Sequence, residues 1–207
     1  MNEAIITSTK IPRRLRVTKI LSYLFLISTI FNRFIRNILN IISYFASSDS
    51  AIKIACNTDY GRFYIDGPLG YIRLPFNYLA ITASDFPIEN AKLFAVSLAL
   101  LFMIAIDLPI LFMLIQACRL LREITSSYTP FTEKTTKLIR SVGIIMLLRG
   151  FLGILILQMG INLINFHRIG CDNPFDVTWI LIGLFVLILA DVFYKGCLLQ
   201  QDADETL

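Results

Sequence analysis

The stretch AVSLALLFMIAIDLPILFMLIQA, residues 95–117, contains a single ionisable side chain, that of Asp107. A helix needs roughly 20 predominantly apolar residues to cross the hydrocarbon core of a bilayer. This stretch meets that length, and we place a membrane span at about 92–118. Segments at about 18–45, 141–164 and 177–199 have the same character, so the sequence predicts four crossings.

The composition supports the same class. Of the 207 residues, 56% are apolar and 16% are charged, whereas charged residues make up about a quarter of a typical soluble domain. The four spans and their connections use nearly the whole chain, which leaves no room for a separate soluble catalytic module. We therefore predict an all-α membrane protein, in which residues 1–207 form a single integral membrane domain built as a four-transmembrane-helix bundle.

The positions of the basic residues predict the orientation, because Lys and Arg next to a span resist translocation. One basic group precedes the first span and another lies in the turn 119–140. The groups are Lys10, Arg13, Arg14, Arg16 and Lys19, then Arg119, Arg122, Lys134, Lys137 and Arg140. We expect a multi-pass protein of the bacterial cytoplasmic (inner) membrane with both termini and the turn in the cytoplasm. Attraction to lipid headgroups explains the net charge of +4, and we expect no direct nucleic-acid binding.

The segments 47–91 and 165–176 then face the extracytoplasmic side of the membrane. Two β-favouring runs, 62–65 and 71–74, flank the turn sequence DGPLG at 66–70. We predict a small extracytoplasmic β-hairpin-like element between helices 1 and 2. A cap over the helix ends is the expected role, and ligand or partner binding is the alternative.

The positions of the cysteines agree with this predicted topology. Cys56 and Cys171 fall in the two outward segments, whereas Cys118 and Cys197 lie near the cytoplasmic helix ends. Only the outward side is oxidising. We therefore expect a Cys56–Cys171 disulfide that ties the long outer loop to the short one.

A polar stripe follows the apolar start of the first span. It consists of Asn32, Arg33, Arg36, Asn37 and Asn40, which share one helix face. Arg33 lies ~21 Å along the helix from Lys19 at ~1.5 Å per residue, at or past the bilayer centre. Its guanidinium must face protein or water, or else the stripe reaches the outer headgroups and docks on extracytoplasmic acids.

Three ionisable residues lie at roughly comparable depth in the other spans: Asp107, Arg149 and Asp191. An ionised group in hydrocarbon costs at least about 2.5–3.5 kcal/mol. We therefore predict an intramembrane polar network in which these three residues join helices 2, 3 and 4; a proton or ion relay is the functional alternative. Pro109 cannot donate to the carbonyl of Ala105, which predicts a kink beside Asp107.

Small residues recur along the third and fourth spans, and they predict close helix packing. They are Gly143, Gly150, Gly153 and Gly160, then Gly183, Ala190 and Cys197. Gln158 and Asn162 are one turn apart in the outer half of the third span, where they can meet the Arg33 face of the first helix; we expect interhelical hydrogen bonding there, with substrate coordination as the alternative.

The polar turn contains a helix start. Thr132 can cap a helix whose first turn holds Glu133, and Thr129 followed by Pro130 is an alternative cap. Either start makes the second and third spans antiparallel neighbours.

Two segments carry a resemblance. TPFTEKTTKLIRSVGIIMLL at 129–148 and LADVFYKGCLLQQDADETL at 189–207 resemble the inner-loop and closing motifs of the bacterial membrane family called domain of unknown function 2975. The matching positions are Pro130, Phe131, Thr132, Glu133, Arg140, Asp191, Val192, Phe193, Lys195, Gly196, Gln200, Asp204 and Thr206. Thr135 and Leu138 depart from the family pattern, which usually has Asn and a basic residue there.

The resemblance implies four membrane helices and a membrane protein encoded beside a small helix-turn-helix regulator. We find no protease, hydrolase, phosphate-binding or C-x-x-C motif, so we expect no enzyme, no cofactor and no metal site. We predict a non-enzymatic sensor or regulatory protein whose two motifs meet and dock a cytoplasmic regulator, with homo-oligomers as a further expectation. The alternative is a small oligomeric transporter or channel using Asp107, Arg149 and Asp191. A membrane enzyme or an immunity-type protein is the third hypothesis.

Overall fold

The computed structural model describes residues 13–57, 62–68, 70–75, 78–79, 81, 85, 88–126 and 131–205, with the backbone alone at 13–16, 56–57, 75, 126 and 204. Four helices in this part of the chain are long and apolar enough to cross a membrane: Val17–Ala46, Ala91–Thr125, Glu133–Phe166 and Val177–Ala203. The predicted four-helix membrane protein is confirmed.

Two of the four membrane helices contain a wider, π-helical turn. The first consists of α1 (Arg13–Thr29), the π-helical segment Ile30–Ile35 and α2 (Arg36–Ala46). The second consists of α3 (Ala91–Phe102), the π-helical segment Met103–Asp107 and α4 (Leu108–Ser126). The third and fourth are uninterrupted: α5 (Glu133–Phe166) and α6 (Val177–Glu205).

The predicted cap at the start of the third helix is confirmed. Thr132 has an extended backbone, and its hydroxyl accepts a hydrogen bond of 3.1 Å from the Thr135 amide. Lys134 forms a 2.5 Å ion pair with Glu123 of α4, which closes the turn between the two helices. The alternative cap at Thr129 and Pro130 lies outside the described residues.

The element between the first two membrane helices is a three-stranded antiparallel sheet in the order β1 (Lys53–Asn57), β2 (Arg62–Gly67), β3 (Gly70–Pro75). The register pairs Gly67 with Gly70, so the predicted hairpin is confirmed and β1 extends it. A Cβ on Gly70 would lie 2.5 Å from Asn40 Oδ1. The hairpin glycine therefore lets the sheet lie directly against α2.

The hydrophobic core joins this sheet to the membrane helices. Alternate strand residues face inward, and Phe63 of β2 contacts Phe94 of α3 edge to face at 5.5 Å. Leu157 and Ile161 of α5 complete the core and have no exposed surface. Because three membrane helices contribute to this core, the sheet is fixed on the bundle.

The small residues of α5 face two different neighbours. A Cβ on Gly150 would lie 2.9 Å from the Ile180 amide nitrogen of α6, and one on Gly183 would lie 3.0 Å from the Leu147 amide nitrogen. Gly153 instead faces the second membrane helix, where a Cβ would lie 3.2 Å from the Ala105 carbonyl oxygen. The predicted close packing is present, and it joins α5 to both of its neighbours.

Residues 167–176 run back along α5 before α6 begins, and two buried amides hold their backbone. Gln158 donates to the Asp172 carbonyl at 2.8 Å and accepts from the Asp172 amide at 3.0 Å. Asn162 donates to the Gly170 carbonyl at 2.6 Å. The expectation that these two side chains meet the Arg33 face of the first helix is therefore wrong; they satisfy backbone groups of the returning segment instead.

Candidate functional site

The most deeply buried acid of the membrane helices is Asp107, and its partners come from the first helix. Arg33 Nη1 donates to Asp107 Oδ1 at 3.1 Å, and Asn37 Nδ2 donates to Asp107 Oδ2 at 2.7 Å. The Asp107 side chain is 1% exposed, whereas that of Arg33 is 46% exposed. Arg33 therefore faces protein on one side, which was one of the two predicted arrangements.

Both charged residues lie in the π-helical segments. Arg33 belongs to the first, and Asp107 ends the second, where the Leu108 amide bonds to the Met103 carbonyl five residues back. Pro109 explains the second segment, because it lacks an N–H and its ring pushes away the carbonyl of Ala105. π-helical turns inside α-helices occur frequently at functional sites. The contact between two of them marks this region as the candidate site.

A cavity of ≈ 260 Å³ lies beside the ion pair, between the first two membrane helices and β3. Its charged and amide lining consists of Arg33, Arg36, Asn37, Asn40, Arg73 and Asp107. Asn40 is 1% exposed, and its Oδ1 has no hydrogen-bond partner among the described residues. The site is thus a polar, predominantly cationic cavity in contact with the sheet.

The structure does not contain the predicted network of Asp107, Arg149 and Asp191. Each residue has a separate partner: Asp107 pairs with Arg33, Arg149 with Asp176 at 2.6 Å, and Asp191 with Arg140 at 2.9 Å. The network prediction is wrong because the returning segment brings Asp176 beside Arg149. Asp191 lies ~22 Å beyond Asp176 along α6, at ~1.5 Å per residue, and is therefore too far away to join this pair.

The guanidinium of Arg149 contacts an acid and an aromatic ring. Its side chain is 3% exposed, its Nη1 donates to Asp176 Oδ2, and its guanidinium carbon lies 4.5 Å from the centre of the Trp179 ring. This pair connects the middle of α5 to the start of α6, and its enclosed position suits a structural role.

The two motif segments meet at the end of the bundle away from the sheet. The Phe131 ring lies 5.3 Å from the Phe193 ring, and a Cβ on Gly196 would fall 2.7 Å from Phe131 Cδ1. Arg140 pairs with Asp191 on the same surface, and Lys195 is exposed there. We name this surface, formed by residues 131–140 and 191–196, the motif face. Pro130, Thr206 and the side chain of Asp204 lie outside the described residues.

The predicted disulfide is not formed in this structure. Cys171 is free and exposed. The side chain of Cys56 lies outside the described residues. Cys171 sits in the returning segment, whose backbone is already held by Gln158 and Asn162.

Metal-ligating side chains are dispersed in the described part of the chain. Within it, no group of three or more His, Cys, Asp or Glu residues could hold a metal ion. His167, the single histidine of the sequence, follows α5 as its C-cap and has a left-handed backbone with φ of 49°.

The sequence predicted the polar stripe of the first helix but missed the cavity beside it. Arg73 of β3 was not identified, because a basic residue in a short strand resembles an ordinary surface position. Arg73 lies near the polar stripe only because the whole sheet packs against the first membrane helix. The two glycines of the hairpin were the available signal, since they allow the sheet to approach α2.

Four long apolar helices, with charged pairs linking neighbouring helices, define a multi-pass membrane protein. A family model described as "Protein of unknown function (DUF2975)" matches residues 68–207, and the chain belongs to this family. The matched range includes β3, three of the four membrane helices and the motif face. No curated protein and no solved structure matches the chain.

Proposed function

We propose that the protein is a non-enzymatic sensor or regulatory protein of the bacterial cytoplasmic membrane, acting with a small helix-turn-helix regulator. The observation that carries this proposal is the meeting of both family motifs on the motif face, where Phe131 packs against Phe193 and Gly196. Two motifs distant in sequence form one continuous surface, which a partner protein can recognise as a unit. The regulator as partner is the part that the family resemblance implies.

The basic residues of the 119–140 turn support a cytoplasmic position for the motif face, because Lys and Arg in short connections stay inside. The termini lie on the same side in this orientation, and the sheet lies outside. A regulator in the cytoplasm would then have direct access to the exposed Lys137 and Lys195. Acidic side chains on the partner would complement them.

A path of direct contacts connects the polar cavity to the motif face. Asp107 ends the second π-helical segment, and Ala105 of that segment packs against Gly153 of α5. The same helix carries Arg140 at the motif face. We infer that a change in the Arg33–Asp107 contact shifts the π-helical segment and is transmitted along α5 as a rigid element.

A transporter or channel using Asp107, Arg149 and Asp191 would need these side chains to act in succession. They lie in three separate ion pairs, so the regulatory function has the stronger support.

Charge reversal on the motif face tests the proposal. We expect Lys137→Glu combined with Lys195→Glu to reproduce the transcript changes of a deletion strain in the native host, and to lower co-purification of the regulator at least tenfold. Both side chains are exposed, so stability should change by about 0.5 kcal/mol or less per substitution.

The matched control is Lys53→Glu with Arg62→Glu, which reverses two exposed charges on the sheet. This control should leave both readouts as in the native strain. A motif-face variant that reaches the membrane at normal levels and retains both the native transcript profile and the bound regulator would refute the proposal.

A further inference from the structure

We propose that the cavity between the first two membrane helices and β3 binds a phosphate group, carried by either a lipid headgroup or a free phosphate ester. The regulatory path proposed above would begin at this cavity, but binding of the phosphate does not rest on that proposal and is measured separately. Three arginines, Arg33, Arg36 and Arg73, and one acid, Asp107, line the cavity. Arg33 forms the ion pair with that carboxylate, so three positive charges face one negative charge and the lining has an excess of positive charge.

Arg36 and Arg73 are the unpaired cations. Neither forms an ion pair or a side-chain hydrogen bond with any residue in the described part of the chain. Arg36 shares its helix face with Arg33 and Asn40, three residues before and four after it. Arg36 on the helix and Arg73 on the strand therefore line the same cavity from two sides.

The sheet positions Arg73 before any ligand arrives. Its guanidinium carbon lies 4.9 Å from the centre of the Tyr64 ring and 5.3 Å from that of the Tyr71 ring. Stacking of this kind occupies the flat face of a guanidinium and leaves its in-plane N–H groups for a ligand. Less side-chain entropy is then lost when an anion binds.

The number of donors favours phosphate over carboxylate. A guanidinium binds two oxygens at once through parallel N–H groups. Two unpaired guanidinium groups together match the several oxygens of a phosphate better than the two oxygens of a carboxylate. The volume of ≈ 260 Å³ lies just below the usual range of sites for drug-sized ligands, about 300–1,000 Å³, so a small headgroup or ester is the expected size.

Two arms of one experiment test the site and separate the two sources. In the first, the full chain is extracted in mild detergent after incubation with phosphatidylglycerol or phosphatidylcholine vesicles, and retained lipid is counted by native mass spectrometry. In the second, the chain in phosphatidylcholine nanodiscs is titrated with inorganic phosphate and with glycerol 3-phosphate against chloride at equal ionic strength. The thermal unfolding midpoint is then recorded.

We expect Arg36→Gln with Arg73→Gln to lower phosphatidylglycerol retention at least tenfold, or to abolish the rise in midpoint caused by the phosphates. Arg62→Gln with Arg122→Gln removes two charges at exposed positions outside the cavity and should leave binding unchanged. Arg36→Lys with Arg73→Lys keeps the charge and should give intermediate binding. Helical circular dichroism equal to that of the native chain confirms that each variant is folded.

Binding in the lipid arm assigns the site to a headgroup, and binding in the phosphate arm assigns it to a free ester. The proposal is overturned if neither probe is preferred over its control, or if a preference survives in the Arg36→Gln, Arg73→Gln chain.

Discussion

Replacing Arg149 with Met is expected to lower the free energy of unfolding by about 3–5 kcal/mol, because it leaves the carboxylate of Asp176 without its buried partner. The Arg149 side chain is 3% exposed and that of Asp176 is 16% exposed, so water cannot replace the lost ion pair fully. Trp179 also loses the guanidinium that stacks on its ring. The start of α6 should therefore separate from α5 first.

Thermal unfolding followed by helical circular dichroism measures this effect in detergent. Intrinsic fluorescence is unsuitable, because Trp179 is the one tryptophan and lies in contact with the substituted side chain. Arg149→Met combined with Asp176→Asn removes both charges and should recover most of the lost stability. A single Met variant within about 0.5 kcal/mol of the native chain, the usual range for an uninvolved surface position, would contradict a structural role for this pair.

Asp107→Ala is the second large effect, with an expected loss of about 2–3 kcal/mol. The substitution leaves the buried Asn37 amide without an acceptor and removes the partner of Arg33. The loss should be smaller than for Arg149, because Arg33 is 46% exposed and retains part of its hydration.

The control for Asp107 is Glu133→Ala, which removes a carboxylate from an exposed pair with Lys137 one helical turn away. This exposed pair should contribute about 1 kcal/mol or less. Equal effects of the two substitutions in the same unfolding measurement would mean that Asp107 is not the buried anchor between the first two helices.

Local signals in the sequence were sufficient for the helices and the hairpin. Long apolar runs located the four membrane helices, Thr132 marked the start of α5, and the turn sequence at 66–70 located the β2–β3 connection. Each of these features depends on residues close together in the chain. β1 lacks such a signal, since its pairing with β2 is what defines it as a strand.

Side-chain partners could not be predicted in the same way. Counting residues gives the depth of Asp107, but it does not give the direction in which the carboxylate points. A π-helical turn contains about one extra residue, which rotates the following helix face by roughly 100° at 3.6 residues per turn. Such a turn immediately precedes Leu108, and another contains Arg33.

The partner of Arg149 could not be predicted, because it belongs to a segment that folds back along α5. Gln158 and Asn162 hold the returning segment along α5, which delivers Asp176 to Arg149. The sequence showed the two amides in the third span but not the backbone groups that they bind. The candidate cavity was missed for a related reason, because Arg73 reaches the polar stripe only through the docking of the whole sheet.

We propose that the chain crosses a membrane four times, with the sheet on the extracytoplasmic side and the motif face in the cytoplasm. Labelling with a membrane-impermeant maleimide tests it most directly, because Cys171 is free and exposed on the returning segment. We predict that Cys171 is labelled in intact cells in a Cys56→Ser chain, and that Lys137→Cys in a Cys56→Ser, Cys171→Ser background is labelled only after the membrane is permeabilised. Labelling of Lys137→Cys in intact cells, with Cys171 protected until permeabilisation, would contradict this orientation.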